Sequence, residues 1–335
     1  MTPAARPAEN PSEPGILCSI RRRIEALGLD LGGMTVITEA ATGAYACTAP
    51  IAAMAGAAVH AVARDTRRYG SFEDAVQATL GLAEEAGVAH RITVSRSIDP
   101  HVLKSCNIIT NSGHLRPISA RMIAQLPERA VLALMFEAWE FRAPDFDLAA
   151  CRDRGIRVAA VNERHPDVGV FPFLGPLCVR LLKDAGLPAP GLRVALLCDN
   201  PFAPFIGQGL RTAGALVSTF PDAGSVPPGD WQAVVVALEP FRNPPLGAVE
   251  LRTLAARAPR ASLVQFWGDI DRASAPGGWP TLIWPPNAPL PGHMAVLLSA
   301  LGHEPVVRLQ AGGLRAAEIV ARGLPMTEGG VAELL

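Results

Sequence analysis

Three histidines, His114, His165 and His293, stand where a proton could be moved. An imidazole titrates near neutrality and is the usual proton partner when hydride moves to or from a carbonyl. His114 follows Gly113 and precedes Arg116, whose planar fork can grip a carboxylate through two parallel hydrogen bonds. His165 sits beside Glu163 and Arg164, and His293 follows Pro291-Gly292 and reads as the opening of a helix. The run Phe136-Glu137-Ala138-Trp139-Glu140-Phe141-Arg142 places two acids, two aromatics and an Arg directly after an apolar stretch. Glu137 and Glu140 share a face if the run turns helical, which suits general-base work or an amine, and equally a salt-bridged wall. The catalytic candidates are therefore His114, Glu137, Glu140, His165 and His293. Arg116, Arg142, Glu163, Asp199 and Asn200 are candidates for holding a substrate.

A second set of residues could hold a phosphate-bearing cofactor. Thr42 and Gly43 lie in a run of small residues, where a backbone can approach a pyrophosphate, although the full GxGxxG pattern is missing. Arg64, Asp65, Arg67 and Arg68 follow the second apolar run. An acid there suits a ribose hydroxyl and an Arg suits a 2′-phosphate, which favours NADP over NAD. Asn111 and Ser112 follow a later apolar run and complete the set. No metal is expected, because no HExxH or similar spacing is present. The six cysteines form no CxxC pair and read as reduced core thiols.

These residues need a scaffold that gathers them, and the chain alternates in the way that builds one. Apolar runs at 34–38, 59–63, 92–95, 107–110, 131–136 and 156–161 read as strands, with helical segments between them. Ser71 and Asp74 form a capping box for a helix over 71–86, and Gly87 stops it. Parallel neighbours need long right-handed crossovers, so this rhythm predicts a parallel, doubly wound sheet. A helix over 171–185 reads as a connector. A second alternation follows, with strands at 193–198, 216–220, 233–238, 262–266 and 281–284, and helices at 205–213 and 247–256. Segments 293–300 and 314–322 read as C-terminal helices. In open parallel sheets ligands bind beyond the carboxyl ends of the strands, where every candidate above lies. The two sets of loops are expected to face one cleft.

From about Asn107 to Leu182 the chain resembles the cofactor half of the D-2-hydroxyacid dehydrogenase superfamily. The likeness is carried by Asn111-Ser112-Gly113-His114 after a strand, by Leu126-Pro127-Glu128-Arg129-Ala130-Val131-Leu132, which is similar to the family's LKPGAVL, and by Asp147 to Val161. The resemblance implies an NAD(P)-type ligand on a Rossmann-like fold. The family splits its substrate half around the cofactor half, whereas the second alternation here reads as one continuous C-terminal unit.

The expected fold class is therefore α/β: two tandem Rossmann-like parallel-sheet units with a connecting helix and C-terminal helices. The divisions are a disordered tail at 1–14, a six-strand domain at 15–170, a helix and linker at 171–190, a smaller domain at 191–292 and helices at 293–335. Net charge is -1 and aromatics are 5%, with no basic block, so no nucleic-acid partner is expected. No run of about 18 apolar residues exists, so no membrane span is expected, and the cytoplasm is the default compartment. The leading expectation is a biosynthetic two-domain oxidoreductase using NADP, with NAD or S-adenosylmethionine less favoured, on a small carboxylate- or amine-bearing metabolite. A homodimer is compatible with it. The alternatives are an S-adenosylmethionine-dependent transferase, for which Glu39 before Gly43 is the signal, and a non-catalytic Rossmann-like binding or partner protein.

Overall fold

The computed structural model describes residues 15–67, 69–240, 245–274, 279 and 281–335. Arg68 and the 1–14 tail lie outside the described residues. Two compact units are present: Met1–Val170 with Gly302–Leu335, and Phe171–Leu301.

In the first unit the helices are α1 (Ile16–Leu27), α2 (Thr48–Met54), α3 (Phe72–Glu85), α4 (Pro100–Ser105), α5 (Ala120–Ile123) and α6 (Leu148–Asp153). The strands are β1 (Thr35–Glu39), β2 (Ala58–Val62), β3 (Ile92–Ser95), β4 (Ile108–Thr110), β5 (Val131–Ala133) and β6 (Arg157–Val161). Ser71, Asp99, Ser119 and Asp147 each accept an amide at the start of α3, α4, α5 and α6. Those bonds satisfy donors that a helix leaves unpaired. Val36, Ile37, Ile108, Ile109, Val131 and Leu132 are fully buried, and burial of each such side chain contributes about 1.5–3 kcal/mol.

The second unit holds α7 (Leu174–Asp184), β7 (Arg193–Leu197), α8 (Ala203–Thr212), β8 (Leu216–Phe220), β9 (Ala233–Ala237), α9 (Ala248–Arg257), β10 (Ser262–Trp267) and β11 (Ile283–Trp284). The chain then returns to the first unit as α10 (Glu304–Arg322) and β12 (Ala332–Leu334).

The first sheet has the order β12-β6-β5-β4-β1-β2-β3. All its pairs are parallel except β12 against β6. The second sheet has the order β11-β10-β9-β7-β8 and is parallel throughout. In each, the direction of winding reverses beside the first strand, between β1 and β4 and between β7 and β9. Such switch points open a crevice at the carboxyl ends of the strands.

Several sequence expectations change. The 171–185 helix is not a free connector, because α7 packs on α8 within the second unit. Its Gly175 meets Gly209 of α8 so closely that a Cβ on Gly209 would stand 2.3 Å from the Gly175 Cα. The second alternation is an insert rather than a C-terminal unit, since residues 302–335 complete the first unit. Segment 293–300 is not a helix; only Leu298–Leu301 makes a 3-10 turn. The last helix starts at Glu304, well before Leu314, and carries Gly312 and Gly313. A Cβ on Gly312 would crowd Val161 and Val168, and one on Gly313 would crowd Met135. Two glycines inside a helix look like a break in sequence, but here they let it lie on the sheet. The fifth strand stops at Ala133, because Met135 takes a left-handed turn with φ 68°. Cys18 is exposed, and the other five cysteines are buried free thiols.

Candidate functional site

The carboxyl edge of the first sheet carries most of the candidates. Asn111, directly after β4, is fully buried. Its side chain donates to Asp145 Oδ2 at 3.1 Å and accepts from Arg116 Nε at 2.8 Å. Arg116 Nη2 donates to the Asn111 carbonyl at 2.6 Å. Arg142 donates to the same Asp145 oxygen through Nε at 3.1 Å and Nη2 at 2.8 Å. Two guanidiniums thus share one carboxylate and leave a surplus positive charge. Both also stand over the Phe136 ring, Arg142 at 5.0 Å and Arg116 at 6.0 Å from its centroid, which holds them by cation–π attraction. Neither Nη1 donates to a described residue. The pair is a preset donor face for an anion.

His114 stands in the short turn Gly113–Leu115 after β4. Burial, and then the Arg64 charge, lowers its pKa from the ordinary 6.5. Its ring is therefore neutral at pH 7 and can accept a proton. Its backbone N–H is taken by Glu39, which ends β1, at 3.2 Å. Glu39 is only 8% exposed, and burial raises its pKa against the lowering effect of the His114 amide, Arg116 and the Gly113 amide.

The acids after β5 and β6 form the other side. Glu137 is fully buried. It accepts from Trp139 Nε1 at 2.5 Å, the Glu163 amide at 3.0 Å and Arg164 Nε at 3.0 Å. Burial still raises its pKa. Glu140 closes the 3-10 turn Ala138–Glu140, one residue triplet along from Glu137. Glu163 is 6% exposed, and burial, then the Glu140 and Glu137 charges, push its pKa well up. Tyr45 stands in the field of Glu39 and Glu163, and burial raises its hydroxyl's pKa too.

These raised acids set a pH dependence. A carboxyl whose folded pKa exceeds the unfolded value stabilises fully below about 4.5 and loses that contribution as pH rises through the folded value. Thermal stability is therefore expected to fall from mildly acid to alkaline pH. Glu163→Gln should flatten that fall and raise Tm at pH 8, by roughly 2–4 °C per kcal/mol recovered. Melting curves across pH check it; an unchanged slope in the variant would show that Glu163 is not the group responsible.

Other candidates are placed differently. His165 Nδ1 accepts the Asp167 amide at 3.2 Å in a turn after β6. Thr42 donates to the Tyr69 carbonyl at 2.9 Å. Asp65 caps the Phe72 amide and pairs with Arg96 at 2.7 Å. Arg64 and Arg67 are exposed. Gly43 takes a left-handed φ of 61°. Ser112 is buried and shares a hydrogen bond with Thr110 at 2.8 Å. The residues of this crevice do not fit a pyrophosphate. The Glu39 carboxylate already lies against the β4 loop, 2.8 Å from where a Gly113 Cβ would stand, and a diphosphate would meet it there.

Asp199, Asn200 and His293 belong to the second unit. His293 sits in a turn, its Nδ1 3.0 Å from the Pro291 carbonyl oxygen. At the β7/β9 switch point, Asn200 Oδ1 accepts the Phe202 amide at 3.1 Å, at the start of α8. Asp199 Oδ1 accepts the Glu239 amide at 2.9 Å. Asp222, two residues past β8, is exposed and accepts from Ser225. At this crevice the two amides nearest the switch point are thus taken by Asn200 and Asp199, and a strand-end acid, Asp222, follows the second strand. Among the described residues no group of three or more metal ligands occurs, and no helix is long and apolar enough to cross a membrane.

Sequence reasoning missed Asp145 and Tyr45 and weighed Glu39 only as a sign of S-adenosylmethionine. The i,i+3 spacing of Arg142 and Asp145 was the available signal for the first. The other two are visible only once β1 and β4 are neighbours.

The two switch points and the crowded carboxyl edge define a Rossmann-type α/β protein of two units, one inserted in the other. Its solved likenesses include a dipicolinate synthase from Bacillus halodurans, at a TM-score of 0.54 and 11% identity over 87% of this chain and 99% of that one. A dipicolinate synthase from Bacillus subtilis matches at 0.54 and 11% over 89% and 100%. The NAD-dependent formate dehydrogenase from Staphylococcus aureus, in complex with NAD, matches more loosely, at 0.47 and 12% over 89% and 98%. At these identities the shared property is the fold. No protein-family model matches the chain, and no curated protein does.

Proposed function

We propose that the chain is a nicotinamide-dinucleotide-dependent oxidoreductase acting on a small carboxylate-bearing metabolite. The observation that carries this reading is the Arg116/Arg142 pair, held on Asp145 with an Nη1 on each that donates to no described residue, beside a His114 whose pKa is lowered by burial, at a Rossmann switch point. A carboxylate docks on the guanidiniums, and His114 accepts the proton that an alcohol loses on oxidation.

The dinucleotide is assigned to the second unit. In the family that the chain resembles, the substrate half is split around the cofactor half, and here the split unit is the first one. The assignment reverses the sequence expectation of a cofactor on Arg64 and its neighbours. It also changes the preferred form: the acid past the second strand of this unit is Asp222, which suits a ribose hydroxyl and so NAD rather than NADP. When bound, the dinucleotide would supply the hydride acceptor. The Phe202 and Glu239 amides would face its phosphates and Asp222 its ribose. The compartment is proposed to be the cytoplasm.

Melting curves with NADH, NADPH and S-adenosylmethionine test the reading. A ligand at a hundred times its Kd stabilises by about 2.7 kcal/mol. NADH is expected to shift Tm most, and Asp222→Ala to reduce that shift. A shift with S-adenosylmethionine alone, or with no ligand of the three, would reject the proposal.

A further inference from the structure

We propose that two copies of this chain join along the free edge of β8, the strand pairing antiparallel with itself about a two-fold axis at Ser218. β8 ends the second sheet and pairs with β7 on one side; among the described residues no strand pairs with its other side. The Leu216 amide donates to the Leu192 carbonyl, and the Phe220 carbonyl accepts from the Cys198 amide. Bonding direction alternates along a strand. Leu216, Ser218 and Phe220 therefore turn their backbone groups to β7, and Val217 and Thr219 turn theirs outward. Among the described residues nothing bonds to those outward groups. None of the five residues is buried, and Leu216 is 62% exposed.

The other sheet edges are guarded. β3 lies between Arg91 and Arg96, β12 has three residues and carries Glu333, and β11 has two and runs into Pro285-Pro286. Charge, proline and shortness are the usual means of keeping an edge from pairing. β8 has none of them, since residues 212–220 contain no charged residue and no proline. The open edge is complementary to itself. With Ser218 opposite Ser218 of a second copy, Val217 of each falls opposite Thr219 of the other. Two such pairs exchange both N–H···O bonds, so every outward group finds a partner. A slip of one residue would set outward groups against inward ones. The same register puts the exposed Leu216 opposite Phe220, an aliphatic–aromatic pair, and a β-branched pair on the other face. The flanking charges agree. Arg211 precedes the strand and Asp222 follows it, so antiparallel pairing brings the acidic end of one copy to the basic end of the other. Such a contact is isologous and closes at two copies.

One short strand pair makes a small interface, so a weak dimer is expected, with Kd on the order of 10 µM. Sedimentation velocity of the full chain from about 1 µM to about 1 mM should show monomer giving way to dimer. Ser218→Lys sets two ammonium groups face to face across the axis and should weaken the dimer by about tenfold or more, as should Ser218→Glu. Mixing the two variants should restore it, because the axis sets residue 218 opposite itself. Val217→Pro removes an outward amide and leaves the β7 ladder whole, so it should also yield monomer. Melting curves matching the parent at low concentration show that each variant is folded. A chain still monomeric at about 1 mM would overturn the proposal and leave the edge to a partner of another sequence. A dimer that ignores Ser218→Lys and Val217→Pro would place the interface elsewhere. A mixture that stays monomeric would reject the two-fold register. The test uses no cofactor or substrate and stands apart from the oxidoreductase reading.

Discussion

Gly209→Ala is expected to destabilise the second unit by about 1–3 kcal/mol, although alanine is the better helix former. The intrinsic preference for Ala over Gly in a helix interior is worth about 1 kcal/mol. Against it stands a new Cβ 2.3 Å from the Gly175 Cα and 2.7 Å from its carbonyl carbon. Both are backbone atoms, which cannot swing aside, so α7 and α8 must separate along their contact. Overpacking of a fitted core costs roughly 1–3 kcal/mol, and lost helix contact adds to it. Gly81→Ala in α3 is the control. Nothing lies within 4 Å of its Cβ position, so it should gain up to about 1 kcal/mol from propensity. Urea unfolding of the two variants should move in opposite directions. A Gly209 variant as stable as the parent would mean that the helices do not cross there.

His114→Gln is expected to lower turnover by about 10²–10⁴-fold, the usual worth of a positioned acid or base. Glutamine keeps the backbone N–H that Glu39 accepts, and so keeps the turn. What disappears is the ring that can take a proton. The pH profile separates this role from simple positioning. Burial and Arg64 hold the imidazole below 6.5, so the acid limb of kcat should fall below that value. In Arg64→Ala the limb should move upward while substrate affinity stays the same. A limb that ignores Arg64 would remove His114 from the proton path and leave Arg116 and Arg142 as the evidence for binding alone.

Stability and activity thus rest on two kinds of contact, and the sequence announces them unequally. The β-branched runs around Val36, Ile108 and Val158 mark strands because a buried parallel strand must be apolar on both faces. The Ser71–Asp74 box marks the start of α3 because its bonds span three residues. Local signals of that kind made every strand of the first sheet legible except β12. That strand was hidden, since three residues at an edge carry no periodicity and owe their state to pairing with β6. The start of α10 was hidden for a related reason. Gly312 and Gly313 weaken the helix locally and are required only because Val168 and Met135 lie beneath them.

The candidate site divides along the same line. Sequence alone placed His114, Arg116, Glu137, Arg142 and Glu163 at strand ends, because a charged residue after an apolar run has few other places to go. It could not tell that Asp145 ties Arg116 to Arg142, or that Glu39 fills the crevice where a pyrophosphate had been expected. Nor could it tell which unit is the insert. Each depends on strand order and on a segment returning from the far end of the chain, and such pairings leave no trace in local spacing. The chain by itself therefore determined the elements and the chemical character of their tips. The tertiary structure decided which tips meet, because burial and charge belong to neighbours in space rather than in sequence.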